Sequence, residues 1–71
     1  MQYQAIVDLL GYATGQDKVV RIVTHDDQEV VGVPTSLDTD PSANEVFLHP
    51  LGDDETEIAI SLPRIRAVEL G

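Results

Sequence analysis

From residue 18 onward the sequence consists of short segments rich in valine and isoleucine, each soon ended by proline, glycine or a cluster of polar residues. Segments of this length are typical of β-strands, and β-branched residues pack well on a pleated sheet. Tight turns without a long crossover indicate that neighbouring strands run antiparallel. Five strands are predicted, over residues 18–24, 29–33, 45–51, 56–62 and 65–70.

The first part of the chain has a different period. Apolar residues recur at spacings of three and four from Ile6 to Ala13, and Gly15 follows as a stop signal. This pattern predicts a short amphipathic helix over residues 3–13. A helix followed by five short strands predicts a mainly β fold, with a small antiparallel barrel over residues 18–70.

Two residues of the second predicted strand indicate that its pairing is not regular. Gly32 in a strand interior marks a bend or a close approach of another backbone. Pro34 has no N–H group, so we expect the strand to end near this residue or to lie on an edge there. The polar stretch over residues 35–44 is predicted to be a loop.

The length and the absence of cysteine limit the function. Seventy-one residues allow a single domain, over residues 1–71, with little room to enclose a cofactor, and none is expected. Oligomerisation is a common remedy for so small a core. Without cysteine there is no disulfide, thiol nucleophile or thiolate metal site.

The acidic residues are concentrated in the middle of the chain. Thirteen Asp and Glu face four Lys and Arg, a net charge of -9, and residues 22–63 contain ten acids and no Lys or Arg. These acids either keep a small protein soluble or form a surface for a basic partner protein. A calcium or magnesium site over residues 53–57 is a third interpretation, but the Asp-x-Asp-x-Asp-Gly order is missing, so no metal is expected.

Neither catalysis nor membrane insertion is supported by the residue pattern. Serines and threonines are scattered, with only His25 and His49 to activate them, and no glycine-rich phosphate loop is present. We therefore expect no catalytic residues and no enzyme activity. No apolar run approaches the roughly 20 residues of a membrane span, and a basic leader is lacking, so a cytoplasmic protein without a membrane partner is expected.

The order of elements and several spacings resemble the Sm-like family, small barrels that assemble into RNA-associated rings. The Leu9-Leu10 pair in the predicted helix, and Lys18 followed by apolar residues at alternate positions, match the start of the family pattern. Gly32 falls on the strand glycine of the family, whereas Asp27 takes the place of its turn glycine.

The second half of the pattern matches with departures. Asp38 falls on the family aspartate, and Asn44 corresponds to the asparagine that opens the third strand, two positions late. Apolar positions of the second motif match from residue 60 to residue 68, but Ser61 and Leu62 stand where the family has Arg-Gly. The resemblance covers residues 6–70.

The resemblance implies a strongly bent SH3-like barrel and candidate contacts to single-stranded RNA. In the family the asparagine bonds the base, the aspartate steadies the asparagine, and the arginine supplies a cation. Asn44 and Asp38 take the first two roles, but Ser61 supplies no charge, so Arg64 and Arg66 are the candidate cations. The other interpretation is that Asp38 and Asn44 stabilise turns and that the two arginines form ion pairs.

The resemblance also implies a ring, in which the fourth strand of one subunit pairs with the fifth strand of its neighbour. Two functions are therefore open. One is a non-enzymatic homo-oligomeric ring subunit related to RNA. The other is an acidic interaction module that occupies a basic, nucleic-acid-binding surface of a partner protein. The predicted interface residues are Ile58, Ile60, Val68 and Leu70.

Overall fold

A computed structural model describes residues 1–71 as one helix followed by a five-stranded antiparallel sheet. A short 3-10 helix, Leu62–Arg64, joins the last two strands. The predicted mainly β fold, with one N-terminal helix and five antiparallel strands, is confirmed. The elements are α1 Tyr3–Gln16, β1 Val20–Thr24, β2 Glu29–Asp38, β3 Glu45–Pro50, β4 Ile58–Ser61 and β5 Ile65–Leu70.

The sheet is open. Its strand order is β4-β3-β2-β1-β5, and every neighbouring pair is antiparallel. No ladder joins β4 to β5, so these two strands are the edges of the sheet. The barrel expected from the sequence is therefore not closed by strand pairing.

Helix α1 continues beyond the predicted residue 13 and passes through Gly15. It ends where Asp17 adopts a left-handed conformation (φ 53°) and the N–H of Lys18 donates to the carbonyl oxygen of Ala13 at 3.0 Å. Glycine in a helix is unfavourable but tolerated. The helix therefore ends because of the backbone conformation at residue 17, and not because of Gly15.

Strand β2 continues to Asp38, so the loop predicted over residues 35–44 is shorter than expected. Strand β1 pairs with β2 only as far as Gly32, and β3 pairs with it from Gly32 onward. Beyond Gly32 the strand has one neighbour, so Pro34 is tolerated in the same way as on an edge strand. A register shift between Pro34 and Ser36 adds a bulge, which bends a strand.

Gly32 is the one residue of β2 that pairs on both sides, with Val20 of β1 and Pro50 of β3. A Cβ atom at this position would lie 2.1 Å from the carbonyl oxygen of His49. Only glycine allows two backbones to come so close. The close backbone approach predicted at Gly32 is confirmed.

Helix α1 packs against β2 and β5 and closes the core from one side. A register shift between β1 and β5 falls at Val23 and Thr24, so Ile65 and Val68 both point inward while Arg66 is exposed. Eleven buried apolar side chains form one cluster: Ile6, Leu10, Ala13, Val20, Ile22, Val46, Leu48, Ile60, Leu62, Ile65 and Val68.

We expect the Gly32→Ala variant to lower the free energy of unfolding by about 2–3 kcal/mol, because backbone atoms of His49 would have to move. Gly15→Ala is the matched control, since nothing lies within 4 Å of the added Cβ. The control should be as stable as the parent or more stable by up to about 1 kcal/mol. Urea unfolding measures both, and equal stabilities of the two variants would contradict the close approach.

Candidate functional site

The structure brings together two segments that contain residues predicted from the sequence to contact RNA, Asp38 and Asn44 in one and Arg64 in the other. Asp38 ends β2 and pairs with Glu45 at the start of β3, and Asn44 lies immediately before Glu45. On the other side of β3, Ser61 pairs with Glu45, and the N–H of Leu62 donates to the carbonyl oxygen of Asn44 at 2.9 Å. Residues 38–44 and 61–64 are called the rim below.

The contacts of Asn44 and Asp38 are those of turn residues. Asn44 is left-handed (φ 50°), a conformation that asparagine tolerates better than most residues. Its side-chain oxygen accepts a hydrogen bond from the hydroxyl of Tyr3 at 2.6 Å. The carboxylate of Asp38 accepts from the N–H of Asp40 at 3.0 Å. Tyr3, rather than Asp38, therefore holds the Asn44 amide.

Tyr3 contacts the rim from outside it, and this contact was not predicted from the sequence. It begins α1, 41 positions before Asn44, and its side chain stays 46% exposed. No local pattern connects a helix N-terminus with a turn so far along the chain. The contact arises only because α1 folds back over the sheet, and it places one aromatic ring beside the Asn44 amide.

Arg64 and Arg66 lie opposite the acidic turn between β1 and β2. Arg66 lies 2.6 Å from the Asp27 carboxylate, and Arg64 lies 4.0 Å from that of Asp26. The N–H of His25 donates to the carbonyl oxygen of Arg64 at 2.9 Å, which ties this turn to the 3-10 helix. Because all four charged side chains are exposed, both ion pairs are weak. The structure thus agrees with the ion-pair interpretation of the arginines.

The four predicted interface residues lie at the two edges of the sheet but differ in burial. Ile60 of β4 and Val68 of β5 belong to the core, with 6% and 4% of their surface exposed. Ile58 is partly buried against that core, whereas Leu70 is 49% exposed. Leu70 therefore offers the largest free apolar surface of the four.

The outer edge of β5 is covered in part by Met1. Its ammonium group donates to the carbonyl oxygen of Arg66 at 3.0 Å. The N–H of Val68 donates to the Met1 sulfur at 3.2 Å. Two backbone groups that a further strand would use are thus already bonded within the chain.

Three aspartates in exposed turns have pKa values below the ordinary range for a carboxyl group. The hydroxyl of Thr24 donates to Asp26 and lowers its pKa. The N–H and hydroxyl of Ser42 do the same for Asp40, and the hydroxyl of Thr56 does so for Asp53. Each bond stabilises the ionised carboxylate, so these turns remain negatively charged in mildly acidic solution. The residues involved are Thr24, Asp26, Asp40, Ser42, Asp53 and Thr56.

The structure offers no group of three or more His, Asp or Glu side chains arranged to hold a metal ion. None of its helices has the length and the apolar character needed to cross a bilayer. Comparison with protein-family models, with curated proteins and with solved structures finds no match to this chain.

We expect Thr56→Val to raise the pKa of Asp53 toward its ordinary value near 3.8, because the hydroxyl that lowers it most is removed. The pKa of Asp40 is the internal control, since Ser42 holds it. Carboxyl carbon shifts followed by NMR during an acid titration measure both. An unchanged Asp53 pKa would contradict the assignment.

We also expect Thr56→Val to change how the free energy of unfolding depends on pH in acid. A folded-state pKa below the unfolded one contributes stability above the unfolded value and loses it as pH falls through the folded value. For Asp53 that window lies below about pH 3.8. Thr56→Val should therefore make the fall in unfolding free energy across this window shallower than in the parent.

Proposed function

We propose that the chain is a non-enzymatic Sm-like subunit that assembles with copies of itself into a ring. The observation that carries this proposal is the strand order, which leaves β4 and β5 as the two free edges of one antiparallel sheet. Pairing of β4 with β5 of the next copy gives every subunit two neighbours through one kind of contact. Such head-to-tail contacts form a closed ring when the rotation between copies closes.

Two backbone positions support the Sm-like, SH3-like form of the sheet. Gly32, at the strand glycine of the family pattern, has no room for a Cβ atom. Asp27, at the turn glycine, has a φ of 64°, in the left-handed region that favours glycine. The family pattern has glycine at both positions. In this chain the backbone at position 32 requires glycine, and the backbone at position 27 requires a residue that tolerates a left-handed conformation.

The proposed contact combines backbone pairing with apolar burial at the edges. Leu70 and Ile58 supply the side chains with surface to bury, while Ile60 and Val68 support them from the core. Met1 has to leave the outer edge of β5 before a neighbouring β4 can pair there.

We expect light scattering to show a multimer at micromolar concentration and Leu70→Ser to shift it toward the monomer, because less apolar surface is buried at the contact. Leu51→Ser is the matched control. It removes a leucine that is more exposed, at 63%, but that lies outside both edge strands. A parent chain that remains strictly monomeric would overturn the ring.

The proposal extends to single-stranded RNA as the ligand of the rim. The carbonyl oxygen of the Asn44 side chain is occupied by Tyr3, which leaves its NH₂ group free to donate. Arg64, although near Asp26, remains mostly exposed. In a ring each copy repeats this pair of donors. Because only Arg64 and Arg66 are available as cations on a chain of net charge -9, we expect binding to be weak and strongly reduced by salt.

We expect uridine-rich or adenine-rich RNA to bind at low salt in fluorescence anisotropy, and Asn44→Asp to weaken it about tenfold by replacing the donor with an acceptor. Aspartate keeps the tolerance for a left-handed backbone and the acceptor for Tyr3. Arg64→Gln should reduce the slope of log affinity against log salt by about 1, because one phosphate contact is lost. Absence of binding to both RNAs would remove RNA and leave the assembly proposal standing.

A second candidate function is an acidic module that occupies a basic surface of a partner protein. It is favoured by the distribution of ion pairs. Three of the four basic side chains already pair with acids of the chain, and Lys18 alone does not. The acids of residues 38–40 and 53–57 have no Lys or Arg partner. The surface therefore carries negative charge that the basic side chains of the chain do not neutralise and that a basic partner would.

A further inference from the structure

An open groove lies where β3 ends and its turn to β4 begins. Its volume is about 500 Å³. It lies at the end of β3 opposite the rim, roughly 17 Å away along a six-residue strand at about 3.3 Å per residue. The rim and the groove are therefore separate places on the surface. The groove is lined by Val33, His49, Pro50, Leu51, Gly52 and Asp54.

The groove is lined by the exposed side chain of Leu51, whose backbone is held by hydrogen bonds. The N–H of Leu51 donates to the carbonyl oxygen of Val31 at 2.9 Å, and that of Asp53 donates to the carbonyl of Pro50 at 3.0 Å. Both bonds hold the turn while the Leu51 side chain stays 63% exposed. One exposed leucine is ordinary on a protein surface. Here it lies beside a groove that an apolar side chain of a partner could fill.

The side chains around the groove are acidic, and hydrogen bonds from threonine hydroxyls hold two of their carboxylates in position. The hydroxyl of Thr56 donates to Asp53 at 2.6 Å, and that of Thr35 donates to Glu57 at 3.0 Å. Asp54 lines the groove itself and, like its acidic neighbours, pairs with no Lys or Arg of the chain. The His49 ring is oriented by a 2.7 Å hydrogen bond between its Nδ1 and the carbonyl oxygen of Thr56.

We propose that this groove binds a protein segment in which an apolar side chain is flanked by arginine or lysine. The apolar side chain packs on Leu51 and Val33, and the flanking cations face Asp54 and its acidic neighbours. Charge complementarity selects this occupant, since a nucleic-acid backbone would be repelled by the same acids. This inference rests on the second candidate function and names where on the surface it acts.

The test uses fluorescence anisotropy with a labelled peptide in which one leucine is flanked by two arginines on each side. Its matched control is the same peptide with the leucine replaced by serine. We expect the leucine peptide to bind about tenfold more tightly at low salt, because only its side chain can fill the groove. Its affinity should fall as salt is raised, since exposed charges are screened.

Substitutions in the chain locate the binding. Leu51→Ser should weaken the leucine peptide about tenfold. Tyr12→Ser, which removes another exposed apolar side chain (52% exposed) on α1 and away from both sheet edges, should not change it. Asp54→Asn should weaken binding and reduce its salt dependence. Asp40→Asn, which makes the same change of charge beyond the other end of β3, should have little effect. Circular dichroism checks that each variant is folded.

Each failure points to a different error. If neither peptide binds the parent chain, the second candidate function is wrong. If both peptides bind equally and Leu51→Ser has no effect, the chain binds basic proteins by charge alone and the groove is not the site. If labelled oligouridine binds and is lost on Leu51→Ser, the occupant is RNA and the proposed protein segment is wrong.

Discussion

The contact between the backbone of Gly32 and the carbonyl of His49 is the constraint on which the rest of the fold depends. Gly32 belongs to two ladders at once, because β1 pairs with β2 up to this residue and β3 pairs with it from this residue onward. A side chain here would separate β2 from β3. The change of partner places β3 and β4 on one side of the sheet, and β1 and β5 on the other. The groove lies directly at this point, since Pro50, the β3 partner of Gly32, lines it.

The number and type of elements could be predicted because they depend on local patterns. β-branched segments between turn residues mark the strands, and apolar spacing marks the helix. The ends of the helix and strands were harder to predict, because they depend on contacts with residues distant in sequence. Strand β2 passes Pro34 only because β1 has already ended, and α1 passes Gly15 because the stop lies at Asp17. Likewise, Ile65 and Val68 both point inward, although they are three positions apart, because of a bulge between β1 and β5 that a regular two-residue alternation does not predict.

The candidate site was predictable to the extent that it lies within matched motifs. The structure places Asn44 against residues 61–62. The partners of these residues could not be predicted, because they come from other parts of the chain. Tyr3 bonds Asn44 from the first turn of α1, and the turn before β2 supplies the acids that face Arg64 and Arg66. The two ion pairs reduce the positive charge that the arginines can offer to a phosphate. The spacing of residues in a motif does not show such pairs with distant residues.

The two edges of the sheet are unequal, since Met1 bonds two backbone groups of β5 while β4 has no such cover. Exposed edges promote uncontrolled strand addition, and proteins commonly block them. In the proposed ring every contact uses one β4 and one β5, so every contact has to displace one methionine. In such a ring one cover per chain would oppose stray pairing of monomers, and a copy would be added only where the new β4–β5 contact outweighs the two lost Met1 bonds.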